Sequence, residues 1–197
     1  LMVRIPGWAQ GRPLPSDLYR YSQATADGLS VKVNGEPVPL DVVKGYVAID
    51  RTWAPGDTVE VVLPMPVRRV LAHPEIKDDA GRVAVERGPI VYAAEWPDNE
   101  GYASHLVLPD PSVLTPVDRP DLLDGTMKVI TGEGEAYRYR QRRVVAAKTT
   151  LTLIPYYAWA HRGPGEMAVW LAREPGRARA IPEPTLASEA KVTASEG

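Results

Sequence analysis

The chain reads as all-β: one complete antiparallel β-sandwich preceded by part of a second. Three observations lead there. Twenty prolines and sixteen glycines among 197 residues interrupt the chain too often for long helices. Between those breaks, short runs alternate apolar and polar residues with the period of a half-buried strand. Turn pairs with a defined backbone preference separate the runs.

Taken in order, residues 30–33 alternate and lead into Asn34-Gly35, a strong short hairpin signal. Residues 45–50 and 58–63 alternate as well. Between them, Ala54-Pro55-Gly56-Asp57 is a turn, because Pro presets φ and Gly accepts φ > 0. Further strands are predicted over residues 67–71, 82–87, 89–94, 126–131, 137–146, 149–154 and 167–172. Pro15-Ser16-Asp17 predicts one short helical turn over residues 15–21. Residues 95–125 carry Pro97, Pro109, Pro111, Pro116 and Pro120, which predicts an extended surface excursion. Pro64-Met65-Pro66 marks a boundary. It divides a partial sandwich over 1–66 from a sandwich over 67–173, with a polar linker over 174–197.

Composition narrows the function classes. Hydrophobic residues make up 44%, charged residues 24%, and the net charge is −2. That balance supplies no electrostatic reason for a nucleic-acid or membrane partner. No stretch approaches the ~18 apolar residues of a membrane span. No signal-peptide pattern is present, so the compartment, cytoplasmic or secreted, stays open. Without cysteine the chain can form neither disulfides nor Cys-ligated zinc. His73, His105 and His161 lack ligand spacing, so no metal site is assigned.

Four places could carry chemistry. Glu86 lies in a strand with apolar neighbours, as a glycosidase carboxylate could, but an acid paired across a sheet explains it more simply. Asp78-Asp79 before Gly81 is turn chemistry. In Tyr137-Arg138-Tyr139-Arg140-Gln141-Arg142-Arg143, alternation predicts tyrosines inward and a solvated basic face outward. Tyr156, Tyr157, Trp159, His161 and Arg162 form the densest aromatic and polar group. Sugars stack their C–H faces on aromatic platforms with polar rims, so these five are candidates for carbohydrate contact or domain docking. No nucleophile elbow, phosphate loop or metalloprotease motif occurs, and no catalytic residue is assigned.

An ordered series of segments resembles the C-terminal region of glycoside hydrolase family 127, the β-L-arabinofuranosidase family. It comprises Val3-Arg4-Ile5-Pro6-Gly7-Trp8-Ala9, Val31-Lys32-Val33-Asn34-Gly35, Gly45-Tyr46-Val47-Ala48-Ile49-Asp50-Arg51-Thr52-Trp53 with Gly56-Asp57, Leu63-Pro64-Met65-Pro66-Val67-Arg68, Glu86-Arg87-Gly88-Pro89-Ile90-Val91-Tyr92 and residues 154–170. The resemblance implies a parent in which an (α/α)6 barrel carries a Cys nucleophile, a zinc–thiolate site and a Glu. None of those residues transfers to this chain, so zinc is expected in that barrel and no cofactor here. The expected role is a non-catalytic region supporting the barrel, with homodimerisation as a second function. The alternatives are a carbohydrate-binding module for plant-type glycans and an independent enzyme using Glu86. The first sandwich is expected to lack opening strands, leaving Val31, Val33, Val47, Ile49, Val59 and Val61 partly exposed and residues 1–63 the weaker half. Ala190-Lys191-Val192-Thr193-Ala194-Ser195 resembles the entrance to a discoidin-like carbohydrate-binding domain, and residues 183–197 are expected to be mobile.

Overall fold

Alternation and turn chemistry produce sixteen strands among the described residues, which are 1–23, 28–123 and 125–184 of a computed structural model. The tail resemblance over 190–195, and the expected mobility beyond Pro184, lie outside them.

The first unit contains β1 (Met2–Arg4), β3 (Ser30–Val33), β4 (Glu36–Pro37), β5 (Val42–Val43), β6 (Tyr46–Ala48) and β7 (Val59–Val62). They form two three-stranded antiparallel sheets, β1-β6-β5 and β4-β3-β7. Asn34 and Gly35 take φ of 52° and 85°, as a tight hairpin turn requires. Asn34 and Asp57 then tie two turns together, the Asn34 amide donating to Asp57 Oδ1 at 2.7 Å. The sheets bury Ile5, Ala9, Val31, Val33, Val47 and Ile49 between them. The expectation of partial exposure therefore fails for Val31, Val33, Val47 and Ile49. It holds for Val59 and Val61. The two sheets cover each other, and the 3₁₀ turn Gly7–Gln10 closes one end with Ala9.

The second unit holds β8 (Val67–Ala72), β9 (Arg82–Arg87), β10 (Ile90–Glu95), β11 (Leu106–Val107), β12 (Leu114–Arg119), β13 (Met127–Arg140), β14 (Arg143–Pro155), β15 (Met167–Ala168) and β16 (Leu171–Ala172). Its pairings close a circuit, β9-β10-β14-β13-β11-β16 and back to β9. Alternate residues along these strands point into it, including Val83, Val85, Tyr92, Ala94, Leu106, Leu108, Leu151 and Leu153. Gly134 permits the closure, since a Cβ there would stand 2.6 Å from the Val107 carbonyl oxygen.

Three local expectations are corrected. Residues 15–21 form no helical turn; β2 (Tyr19–Tyr21) pairs with β8 of the second unit, because Tyr21 gains burial there that an exposed turn would not give. Residues 95–125 are not a surface excursion. Ala103, His105, Leu106, Val107 and Leu108 are buried, since β11 fills the gap between β13 and β16. Residues 137–146 are no single strand: Gln141 and Arg142, with φ of 49° and 62°, turn β13 into β14 as a two-residue hairpin. The tyrosines there do not line a core, for Tyr139 is exposed on an arm that runs beyond it.

A polar seam joins the units. Arg68 donates to the Trp8 carbonyl oxygen at 2.8 Å, and its guanidinium lies 4.6 Å from the Tyr21 ring centroid.

Candidate functional site

The aromatic loop begins where β14 ends. Pro155 stops the ladder, and Tyr156–Ala158 make one 3₁₀ turn anchored by buried Ala158. Anchoring the small residue turns the large ones outward. Tyr156, Tyr157 and Trp159 are 46%, 63% and 40% exposed. The Tyr156 and Trp159 rings lie 6.1 Å apart between centroids and 22° from parallel, forming a shared aromatic platform. His161 is exposed beside them.

Arg162 goes the other way. Its Nε donates to Glu95 Oε2 at 2.9 Å, and Nη1 donates to Asp98 Oδ1 at 3.0 Å. Nη2 reaches both carboxylates. Hydrogen bonds to Asp98, joined by those to Glu95, outweigh burial and hold the guanidinium charged. Glu95 is fully buried, and its second oxygen accepts from the Ala160 N–H at 3.0 Å. Arg162 is thus a positioning residue that fixes the loop from below, with its fork fully used.

The far side of the loop is fastened too. Glu166 accepts from the Ala103 N–H, the Ser104 N–H and the Ser104 hydroxyl at 3.1, 3.2 and 2.9 Å. Burial would raise its pKa, but these bonds together hold it below the usual range. Gly165 lies against Trp96, where a Cβ would stand 2.1 Å from the indole. The cavity beneath the loop is only about 10 Å³, too small for a sugar, so a ligand of this loop would sit on its exposed face.

The structure therefore brings Tyr156 and Trp159 together, leaves Tyr157 and His161 exposed in the same loop, and turns Arg162 inward. Sequence reasoning missed Glu95, Asp98, Asn99 and Glu166. The single signal was a carboxylate at the end of an apolar strand, where an acid needs a buried partner.

Glu86 resolves as a paired acid. It stands opposite Arg68 in the β8–β9 register and accepts from the Tyr21 hydroxyl at 3.0 Å. Burial raises its pKa against the opposing effects of that hydroxyl and of Arg68. Among the described residues, no three of His, Asp and Glu gather as metal ligands would.

Comparison with known proteins gives these features a lineage. The family model for the "Beta-L-arabinofuranosidase, GH127 middle domain" matches residues 1–65, and that for the "Glycoside hydrolase family 127 C-terminal domain" matches residues 67–172. A non-reducing end β-L-arabinofuranosidase from Bifidobacterium longum subsp. longum is 32% identical over 185 residues, covering 87% of this chain and 25% of that protein. A solved GH127 β-arabinofuranosidase superposes with a TM-score of 0.86 at 46% identity, covering 92% of this chain and 28% of that one. A GH127 β-L-arabinofuranosidase from Geobacillus stearothermophilus T6 does so at 0.71 and 40%, covering 87% and 26%. The chain spans about a quarter of the length of these relatives. It belongs to glycoside hydrolase family 127.

Proposed function

We propose that this chain is a non-catalytic accessory region of a β-L-arabinofuranosidase-like enzyme, divided near residue 66 into two β-units that support an (α/α)6 catalytic barrel. One observation carries the reading: two family models, middle and C-terminal, together match residues 1–65 and 67–172, on about a quarter of the relatives' length. The site chemistry agrees. Glu86 is engaged with Tyr21 across from Arg68, and Glu95 is engaged with Arg162. The zinc–thiolate centre implied for the parent does not fit this chain, which has no cysteine. The pinned aromatic loop is the docking face, presenting apolar rings without an ordering cost on association.

The test is an assay of the purified chain on an aryl β-L-arabinofuranoside beside a full-length relative. No turnover by the chain is expected. Turnover abolished by a substitution at Glu86 would overturn the reading.

A carbohydrate-binding module is the second reading, favoured by the exposed, near-parallel Tyr156–Trp159 pair. Titration with arabino-oligosaccharides separates the two: saturable aromatic NMR shifts, lost on Trp159→Ala, support the glycan. Association of two copies belongs to the first reading.

A further inference from the structure

Two asparagines stand in the whole chain, and they meet opposite surroundings. Asn99 is buried, is followed by Glu100, and its side chain bonds the backbone of Glu95 and Thr152. Asn34 is exposed and is followed by Gly35. A backbone nitrogen can attack the side-chain carbonyl of a preceding asparagine, and glycine offers the least hindered nitrogen because it has no Cβ. Gly35 also stands in open space, where a Cβ would meet nothing within 4 Å. Its N–H has no hydrogen-bond partner among the described residues. The Asn34 side chain, by contrast, is engaged at both ends. Its Nδ2 donates to Asp57 Oδ1 at 2.7 Å, and its Oδ1 accepts from the Thr58 N–H at 2.8 Å. These bonds clasp the Asn34-Gly35 turn to the turn that precedes β7.

We propose that Asn34 is a deamidation site gated by this clasp: the amide persists while the two turns are joined, is lost when they part, and its product keeps them apart. In the open state the Gly35 nitrogen bonds to Asn34 Cγ. The Cγ–Nδ2 bond breaks, and Nδ2 leaves as ammonia with the proton that the Gly35 nitrogen gives up. Water then adds to either carbonyl of the cyclic imide and reopens it, giving aspartate or its β-linked isomer. Aspartate sets a carboxylate oxygen where Nδ2 had donated, against Asp57 Oδ1, and like charges at that distance repel. Asp57 is held as an anion, since its Oδ2 accepts from the Ala54 N–H at 2.9 Å and lies 3.3 Å from Arg51 Nη2. The β-linked isomer inserts a methylene into the backbone of a two-residue turn, whose length sets the β3–β4 register. Either product makes a passing local opening of the first unit permanent.

The full chain, incubated at neutral pH folded and in guanidinium chloride, tests the gate by peptide mapping with mass spectrometry. The peptide holding Asn34 should gain the mass of one deamidation roughly tenfold faster or more when unfolded, and Asn99 should keep its amide in the folded chain. Asp57→Ala with unchanged circular dichroism should move the folded rate toward the unfolded one. Equal rates in the two states, or an Asn34 that stays intact when unfolded, overturn the proposal. A folded Asp57→Ala chain that converts no faster does so too, and the native comparison decides the gate where that variant does not fold. Asn34→Asp reads the product: hydrogen exchange across the β3–β7 ladder should quicken about threefold or more. Adding Asp57→Asn should restore protection, because amide and carboxylate then face each other with their places exchanged. An unchanged ladder in Asn34→Asp, or a loss that the exchange does not restore, overturns the claim that the product holds the turns apart.

Discussion

The two units meet the problem of closing a β-core in different ways. In the first, two three-stranded sheets face each other over six buried apolar residues, and its side-chain ties, such as Asn34–Asp57, lie in exposed turns. In the second, the ladder closes on itself around twelve buried apolar residues. Among the described residues, the buried polar ones, Glu95, Asn99 and His105, all belong to the second unit. They stand where irregular chain crosses the circuit and leaves backbone groups to satisfy: Asn99 pairs with Thr152, and Glu95 with Ala160. A closed circuit interrupted by loops depends on buried polar fasteners; two facing sheets do not. The comparison makes the second unit the more stable and the more sensitive to single losses.

The largest effect should come from cutting a fastener. Arg162→Ala leaves Glu95 buried without its cation and should destabilise the second unit by about 3–5 kcal/mol. Pairing Arg162→Met with Glu95→Gln should recover part of it, since Glu95 no longer carries a charge and only Asp98, 10% exposed, is left without the cation. Urea unfolding followed by near-ultraviolet signals measures both. A loss below about 1 kcal/mol for the single variant would show that the Ala160 N–H and solvent suffice for Glu95, and the contrast between the units would weaken.

A matched pair of truncations sharpens the contrast. Val83→Ala and Val47→Ala remove the same atoms from equally buried sites, one in each unit. The first should cost about 2–3 kcal/mol and the second about 1 kcal/mol, because facing sheets can settle together where a closed circuit cannot. Hydrogen exchange should show each loss confined to its own unit. Equal costs would mean that closure adds no rigidity.

How much of this was legible follows from the range of each signal. Alternation and Asn34-Gly35 act locally, and most of the strands they mark are present, although residues 167–172 split into β15 and β16 with different partners. The turn at Gln141-Arg142 was not legible, because two residues without turn preference are held at positive φ by the long ladder behind them. Prolines concealed β11, whose role is set by β13 and β16, not by its own sequence. In the site, the aromatic pairing spans three residues and could be read. The inward turn of Arg162 depends on Glu95, 67 positions away, which no local pattern reports.

A smaller, pH-dependent effect tests the third buried polar residue of the second unit, whose ring fastens nothing. His105 is fully buried beside Tyr102, and neither ring nitrogen has a hydrogen-bond partner among the described residues. Burial lowers its pKa, opposed by the charge of Glu166. A folded pKa below the unfolded value near 6.5 means that its stability contribution is complete above that pH and lost as pH falls beneath it. The slope should reach up to about 1.4 kcal/mol per pH unit. Glu166, held low by Ala103 and Ser104, loses its contribution only below about pH 4.3, while Glu86, raised by burial, acts with the opposite sign, so a loss of stability in the interval between belongs to His105. His105→Leu should flatten the stability profile there. A wild-type profile already flat from pH 6.5 to 5 would show that the ring accepts a proton without cost.

The smallest effect belongs to the tip of the arm, and it separates the arm from the core that carries it. Gln141 and Arg142 both occupy left-handed backbone, which costs a residue with a side chain about 1 kcal/mol or more. Gln141→Asn with Arg142→Gly installs the residue types that this turn prefers. The substitution touches no buried contact, since both positions are exposed. Stability should therefore rise by about 1 kcal/mol if the hairpin unfolds with the second unit. If the arm frays independently, the unfolding midpoint should stay fixed while amide protection rises at Tyr139 and Val145 alone. Both results are compatible with a folded arm, but they rank it differently: the first makes it part of the closed circuit, the second a separate element on its rim. The expected result is the first, because β13 and β14 run without a break from the arm into the core, from Arg140↔Arg143 to Ile130↔Leu153. A continuous ladder transmits the strain of its turn to the unit it closes.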